Sequence, residues 1–168
     1  MSQPALHPGL EALAGLLGTW QGEGVGEYPT ISSFGYSEEV TFGHVGKPFL
    51  AYGQRTRATD DGRPLHAESG YWRVPAPGQV ELVLAHPTGV TEIATGTVTQ
   101  FEDPDGTTLV IDLVSTAVGL SPTAKWVTGV ERTFRLRADT LDYTLRLGAV
   151  GQSMQHHLAA SLQRVSAP

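Results

Sequence analysis

Apolar and polar residues alternate without a break along Leu141-Asp142-Tyr143-Thr144-Leu145-Arg146-Leu147, the pattern of a strand with one buried face. The same period of two, with more noise, runs through residues 18–27, 35–44, 49–58, 65–74, 79–86, 90–102, 107–116, 126–137 and 155–165, so about ten strands are predicted. Between them stand Asp60-Asp61-Gly62, Pro75-Ala76-Pro77-Gly78, Pro87-Thr88-Gly89 and Pro104-Asp105-Gly106, residues that accept tight-turn dihedrals. Short links make successive strands antiparallel neighbours. One stretch departs from this: Pro8 to Leu17 sets Leu10, Leu13, Ala14 and Leu17 at helical spacing, with Gly18 after the end. A helix that short must pack on something. A two-sheet sandwich and a closed barrel both accommodate such a chain, and closure is favoured because it removes exposed edges. The expectation is an all-β, about ten-stranded antiparallel closed barrel with a short N-terminal helix.

Composition narrows the chemistry. A chain of 168 residues with no linker-like segment reads as one domain, residues 1–168, with about 10–164 ordered and the first few residues and Ser166-Ala167-Pro168 frayed. There is no cysteine, which removes disulfides, zinc–thiolate sites, iron–sulfur clusters and thiol nucleophiles. Eleven basic against 17 acidic residues leave a formal charge of −6, with the basic residues scattered singly, so neither nucleic acid nor an anionic membrane is an expected partner. Met1 to Leu10 lacks the basic and apolar segments of a secretion signal, and a cytoplasmic location is expected. No Gly-x-Ser-x-Gly elbow, phosphate loop, His-Glu-x-x-His or dinucleotide fingerprint is present. Gly22-Glu23-Gly24-Val25-Gly26 does not open a helix and reads as a strand bent where the barrel curves or where a ligand comes close.

The six histidines carry most of the remaining possibilities. His7 precedes the helix in a tail, His44 sits in a turn-like Gly-His-Val-Gly segment, and His86 before Pro87 reads as a turn cap. His66 shares a strand face with Glu68 and Gly70, which fits a hydrogen-bonded polar pair and a ligand cavity equally well. Parity on the last strand groups His156 with Leu158, Ala160 and Leu162, and His157 with Ala159 and Ser161. A barrel that encloses a ligand needs small lumen residues, which would put His157 inside and Leu158 and Leu162 outside, an apolar outer face suited to a homodimer. Taken alone, parity leaves the two histidines nearly even.

Several motifs converge on a known family. Gly18-Thr19-Trp20-Gln21-Gly22-Glu23-Gly24 followed by Tyr28-Pro29-Thr30-Ile31 resembles the opening signature of the nitrobindins, and the likeness continues in order through Phe34 to Glu39, Gly46 to Tyr52, Leu65 to Tyr71, Ala85 to Gly89, Ala124-Lys125 and His157 to Arg164. The resemblance implies a ten-stranded barrel of the lipocalin and fatty-acid-binding-protein kind holding one haem b per chain, its iron bound by a histidine on the last strand just before a Leu, which is His157. It places Thr30, Lys125 and His66 near the haem, with Lys125 a candidate propionate contact and His156 a possible competitor for iron. Its activity would be binding of nitric oxide and isomerisation of peroxynitrite to nitrate. The iron would do the hard step, with no catalytic side chain beyond it, in keeping with the missing signatures. The alternatives are a carrier of a fatty acid or other apolar molecule in the same cavity, and a haem sensor of nitric oxide without turnover.

Overall fold

The chain, described here over residues 4–167 of a computed structural model, closes into a ten-stranded antiparallel barrel. The strands are β1 (Gly18–Tyr28), β2 (Ile31–Gly43), β3 (Leu50–Ala58), β4 (Pro64–Arg73), β5 (Gln79–His86), β6 (Val90–Asp103), β7 (Gly106–Leu120), β8 (Val127–Arg137), β9 (Thr140–Ala149) and β10 (Gln155–Ser166). Each pairs with its sequence neighbour, and β10 closes the ring on β1. All ten expected strands are present. β2 begins earlier than its alternation suggests because Pro29-Thr30 alone links it to β1, and β7 runs on to Leu120 along β6.

The meander fixes two ends. At one lie the N-terminal helix and the β2–β3, β4–β5, β6–β7 and β8–β9 connections; at the other lie the links at residues 29–30, 59–63, 87–89, 121–126 and 150–154. The helix, Pro8–Leu16, winds as a 3₁₀ helix with three residues per turn. That period stacks Leu10, Leu13 and Leu16 into the core and leaves Ala14 outside, where the sequence spacing had suggested Ala14 as an inward position. Its ends are tied on both sides. His7 Nδ1 accepts from the Gly9 amide 3.1 Å away, so this histidine caps the helix. Trp20 Nε1 donates to Leu16 O at 2.8 Å, and Arg164 lies 4.2 Å over the Trp20 ring while donating to the carbonyls of Gly15 and Leu17. The Gly-x-Trp motif and Arg164 thus lock the plug into the barrel. Ser166, placed in a frayed end by the sequence, pairs with Thr19, whereas Met1–Gln3 and Pro168 lie outside the described residues.

Inside, Trp20, Phe42 and Trp72 fill the plugged half together with Leu50, Leu82 and Leu113, and Tyr36 and Phe134 pack in the same core while also lining the cavity beyond. The glycines of β1 serve this packing. A Cβ at Gly24 would lie 2.3 Å from the Tyr36 ring, and one at Gly22 2.0 Å from Ser161 O. Close approach is therefore required by Tyr36 and by β10.

β10 overturns the reading of its two faces. Ala160 and Leu162 are buried and Leu158 packs against the core, while Ser161 and Gln163 are exposed. The apolar face is the lumen face, so the outward Leu158 and Leu162 that motivated a homodimer are not there. His157 still points inward because pairing with β9 passes from His156↔Arg146 to Leu158↔Leu145, leaving His157 as the extra residue of a β-bulge. The bulge turns His156 out and places His157 and Leu158 together on the cavity wall. Strict alternation cannot anticipate an inserted residue.

Leu13, fully buried at the plugged end, gives the first test. Leu13→Ala should cost about 2–5 kcal/mol, read as a lower urea midpoint with an unchanged slope.

Candidate functional site

A cavity of about 800 Å³ occupies the half of the barrel away from the helix. Its walls are apolar, with Phe34, Val40, Leu141, Leu145, Leu158 and Leu162 among the lining residues, and its rim carries Thr30, Arg63, Thr88, Thr123 and Lys125 from the mouth connections. Ile31, Leu65 and Val150 at the rim are 51%, 36% and 38% exposed, apolar surface that an apolar ligand seated in the mouth would cover. Lys125, Thr30, His66 and His157, singled out in the sequence, all line this one cavity.

His157 is held in a defined chemical form. Its Nδ1 lies 3.0 Å from the backbone carbonyl of Glu27, which can only accept, so Nδ1 carries the proton and Nε2 keeps a free lone pair. Tyr28 and Phe34 meet the ring edge-on at 5.2 and 6.5 Å and limit its rotation. Burial lowers its pKa, as does His156, against the opposing Glu27 hydrogen bond; the neutral imidazole is favoured. Tyr28 is itself anchored, its hydroxyl accepting from the Ala149 amide at 2.9 Å and donating to Leu147 O at 3.1 Å. A backbone carbonyl orients the histidine, and no side-chain signal could have revealed it. His156, by contrast, faces outward, its Nε2 4.0 Å from Glu27 Oε1.

Deeper in the cavity lies a buried polar network. Tyr143 donates to Glu38 Oε2 at 2.7 Å, its hydroxyl lies 2.8 Å from that of Tyr36, and Gln54 donates to Glu38 Oε1 at 3.2 Å. Burial, with a smaller push from Glu68, raises the Glu38 pKa to about 7 despite these hydrogen bonds.

A second network sits on the β4–β6 wall. Arg132 reaches across the barrel from β8 and donates to Glu92 at 2.7 Å and Glu68 at 3.3 Å. Tyr52 donates to the other Glu68 oxygen at 3.2 Å. Burial opposes the ionisation of Glu92, but His86 and Arg132 outweigh it and hold the carboxyl down at about 2. His66 Nε2 and His86 Nδ1 meet at 3.1 Å, and burial lowers the His66 pKa. His86 is thus a cavity residue rather than a turn cap. Glu38, Glu92 and Arg132 received no role from the sequence, and His86 only that of a turn cap, because nothing local distinguishes a buried charged residue from a surface one on an alternating strand.

The apolar mouth and the free imidazole lone pair describe a pocket for an apolar ligand that a neutral histidine can reach. The family model of the THAP4-like, heme-binding beta-barrel domain matches residues 9–164. The chain belongs to this family. The span agrees with the nitrobindin likeness seen from about residue 10 to 164. Among relatives of this haem-binding barrel, a protein of Mycobacterium ulcerans named peroxynitrite isomerase 2 is 61% identical over 161 residues, covering 96% of this chain and 98% of the relative. A Nocardia farcinica protein named peroxynitrite isomerase is 58% identical over 160 residues, 95% of this chain and 93% of its own. The crystal structure of Rv2717c from M. tuberculosis superposes with a TM-score of 0.91 at 53% identity, covering 96% of this haem-binding barrel and all of that chain.

The raised Glu38 pKa yields a stability test. Between pH 4.5, the ordinary value, and about 7, the folded protein keeps a proton that the unfolded chain has lost. Stability contributed by this group is therefore full below the unfolded value and is lost as pH rises through the window. Glu38→Gln should abolish that loss. Comparing thermal midpoints at pH 5 and pH 8, the variant should gain on the wild type by several degrees at the higher pH, on the order of 1–3 kcal/mol.

Proposed function

We propose that this chain is a haem protein that isomerises peroxynitrite to nitrate, with His157 as the single protein ligand to the iron. The observation that carries the reading is the Glu27 carbonyl bonded to His157 Nδ1, which leaves Nε2 unprotonated on the wall of a ligand-sized apolar cavity. An outer hydrogen bond of this kind is how metal-binding histidines are held in one tautomer. The residues fit one haem b per chain. Phe34, Leu158 and the rim positions Ile31, Leu65 and Val150 would pack its faces and edges, and Thr30 and Lys125 at the mouth would meet its propionates. His66 would stand beside it on the opposing wall. When bound, haem supplies a ferric centre with an open coordination position for peroxynitrite, and nitric oxide would bind at that same position.

The chain's own part is to bind, orient and exclude water. His157 would hold the group through its free Nε2, the apolar walls would keep water away from it, and Tyr28 limits the turning of the imidazole. No side chain is required to shuttle a proton, since the conversion of peroxynitrite to nitrate rearranges atoms without gain or loss of any. The family membership and the names of the 54–61% identical relatives support the assignment. Among the described residues no helix is long and apolar enough to cross a membrane. The cytoplasmic location and the single domain are carried as the reading of the sequence.

Hemin titration followed by absorption tests the reading. Wild type and His156→Ala should give the same Soret band at one hemin per chain, whereas His157→Ala should lose it or shift it. Lys125→Ala should weaken hemin binding by a few-fold, the range of an exposed charge contact. In stopped flow, hemin-loaded wild type should accelerate peroxynitrite decay to nitrate, and His157→Ala should not. A wild type that takes up no hemin specifically would return the cavity to a carrier of apolar molecules.

A further inference from the structure

The polar cluster on the β4–β6 wall is not needed to hold a haem through His157, and its geometry has a use of its own. His66 Nε2 lies 3.1 Å from His86 Nδ1, and Glu68 Oε1 lies 3.9 Å from each of them. Two ligands of a tetrahedral metal ion at about 2.0–2.1 Å stand about 3.3 Å apart, so these three edges bracket the triangle that such an ion requires. Three independent strands contribute to the arrangement: β4 carries His66 and Glu68 on one face, β5 brings His86 beside Glu68, and β6 supplies Glu92 behind His86.

The surroundings are those of a supported site. Glu92 Oε1 faces the other ring nitrogen of His86 at 3.5 Å, the carboxylate–histidine relation that orients a metal-bound imidazole. That nitrogen and that oxygen are buried, and neither has a hydrogen-bond partner as they stand. A movement of a few tenths of an ångström by His86 toward Glu92 would satisfy both and open the gap to His66. Glu92 is in turn fixed by Arg132, and Glu68 by Arg132 and Tyr52. The two carboxylates share a single guanidinium, that of Arg132. His66, Glu68 and His86 all line the cavity, which can supply a fourth ligand.

We propose that His66, His86 and Glu68 form a second metal site, for a divalent first-row transition cation, in the same cavity as the haem but with a ligand set that does not include His157. Two histidines and one carboxylate with an open position are a ligand set of such ions, and with no cysteine in the chain imidazole and carboxylate are the ligands available. With the ion bound, His86 would carry its proton on Nε2, facing Glu92, and His66 on Nδ1, so that the two facing nitrogens are free to ligate, and the fourth ligand would come from water or from a molecule in the cavity.

Zinc titration calorimetry on tag-free, metal-stripped protein, run with and without hemin, tests this. The expected result is saturable binding of one Zn²⁺ per chain, weakened by about a hundredfold or more in His66→Ala and in His86→Ala and unchanged in His44→Ala, a turn residue outside the cavity. His66→Ala decides the matter if loss of the more buried His86 prevents folding, and far-UV circular dichroism reports which has happened. No saturable binding with or without hemin, or binding of undiminished strength in His66→Ala, would overturn the proposal. The Soret band of the same samples reports haem binding separately, so the failure of one site is not confused with failure of the other.

Discussion

The pairing of β10 with β1 closes the barrel, and the rest of the molecule depends on it. From Thr19↔Ser166 to Gly26↔Leu158 the seam removes both free edges, sets the lumen, and brings the Glu27 carbonyl within reach of His157. At the other end of the same seam Arg164 stacks on Trp20 and caps the helix plug. One strand pair therefore seals one end of the barrel and arms the other.

The two halves of the lumen are built on different physics. The plugged half is close-packed aromatic and aliphatic side chain, where stability resides in burial and in the absence of voids. The open half keeps about 800 Å³ free and lines it with charge pairs that are costly to bury unless fully partnered. Glu38, Glu68, Glu92 and Arg132 are retained there at that cost, and burial raises the Glu38 pKa to about 7. Buried polar groups beside a cavity, rather than in the packed half, mark where the fold gives up stability for chemistry.

Much of this was legible in the chain. The ten strands follow from period-two alternation between turn residues, and closure follows from their number and short links. The likeness carried by the Gly-x-Trp opening and the His157-Leu158 ending pointed to the haem-binding barrel family that the chain belongs to. Ala14 failed as an inward residue because a 3₁₀ turn has a different period from an α turn, and the outer apolar face of β10 failed because a single inserted residue reverses parity.

What the sequence determined by itself is local: which segments are strands, where they turn, and which residue types are available for chemistry. These depend on backbone sterics and on alternation, which act over a few residues. The tertiary structure alone decided which side of β10 is the lumen, which nitrogen of His157 carries the proton, and that His66, His86, Glu68 and Arg132 meet. Each of those is a contact between strands distant in the chain, set by register and closure, and no stretch of sequence contains the partner that makes it.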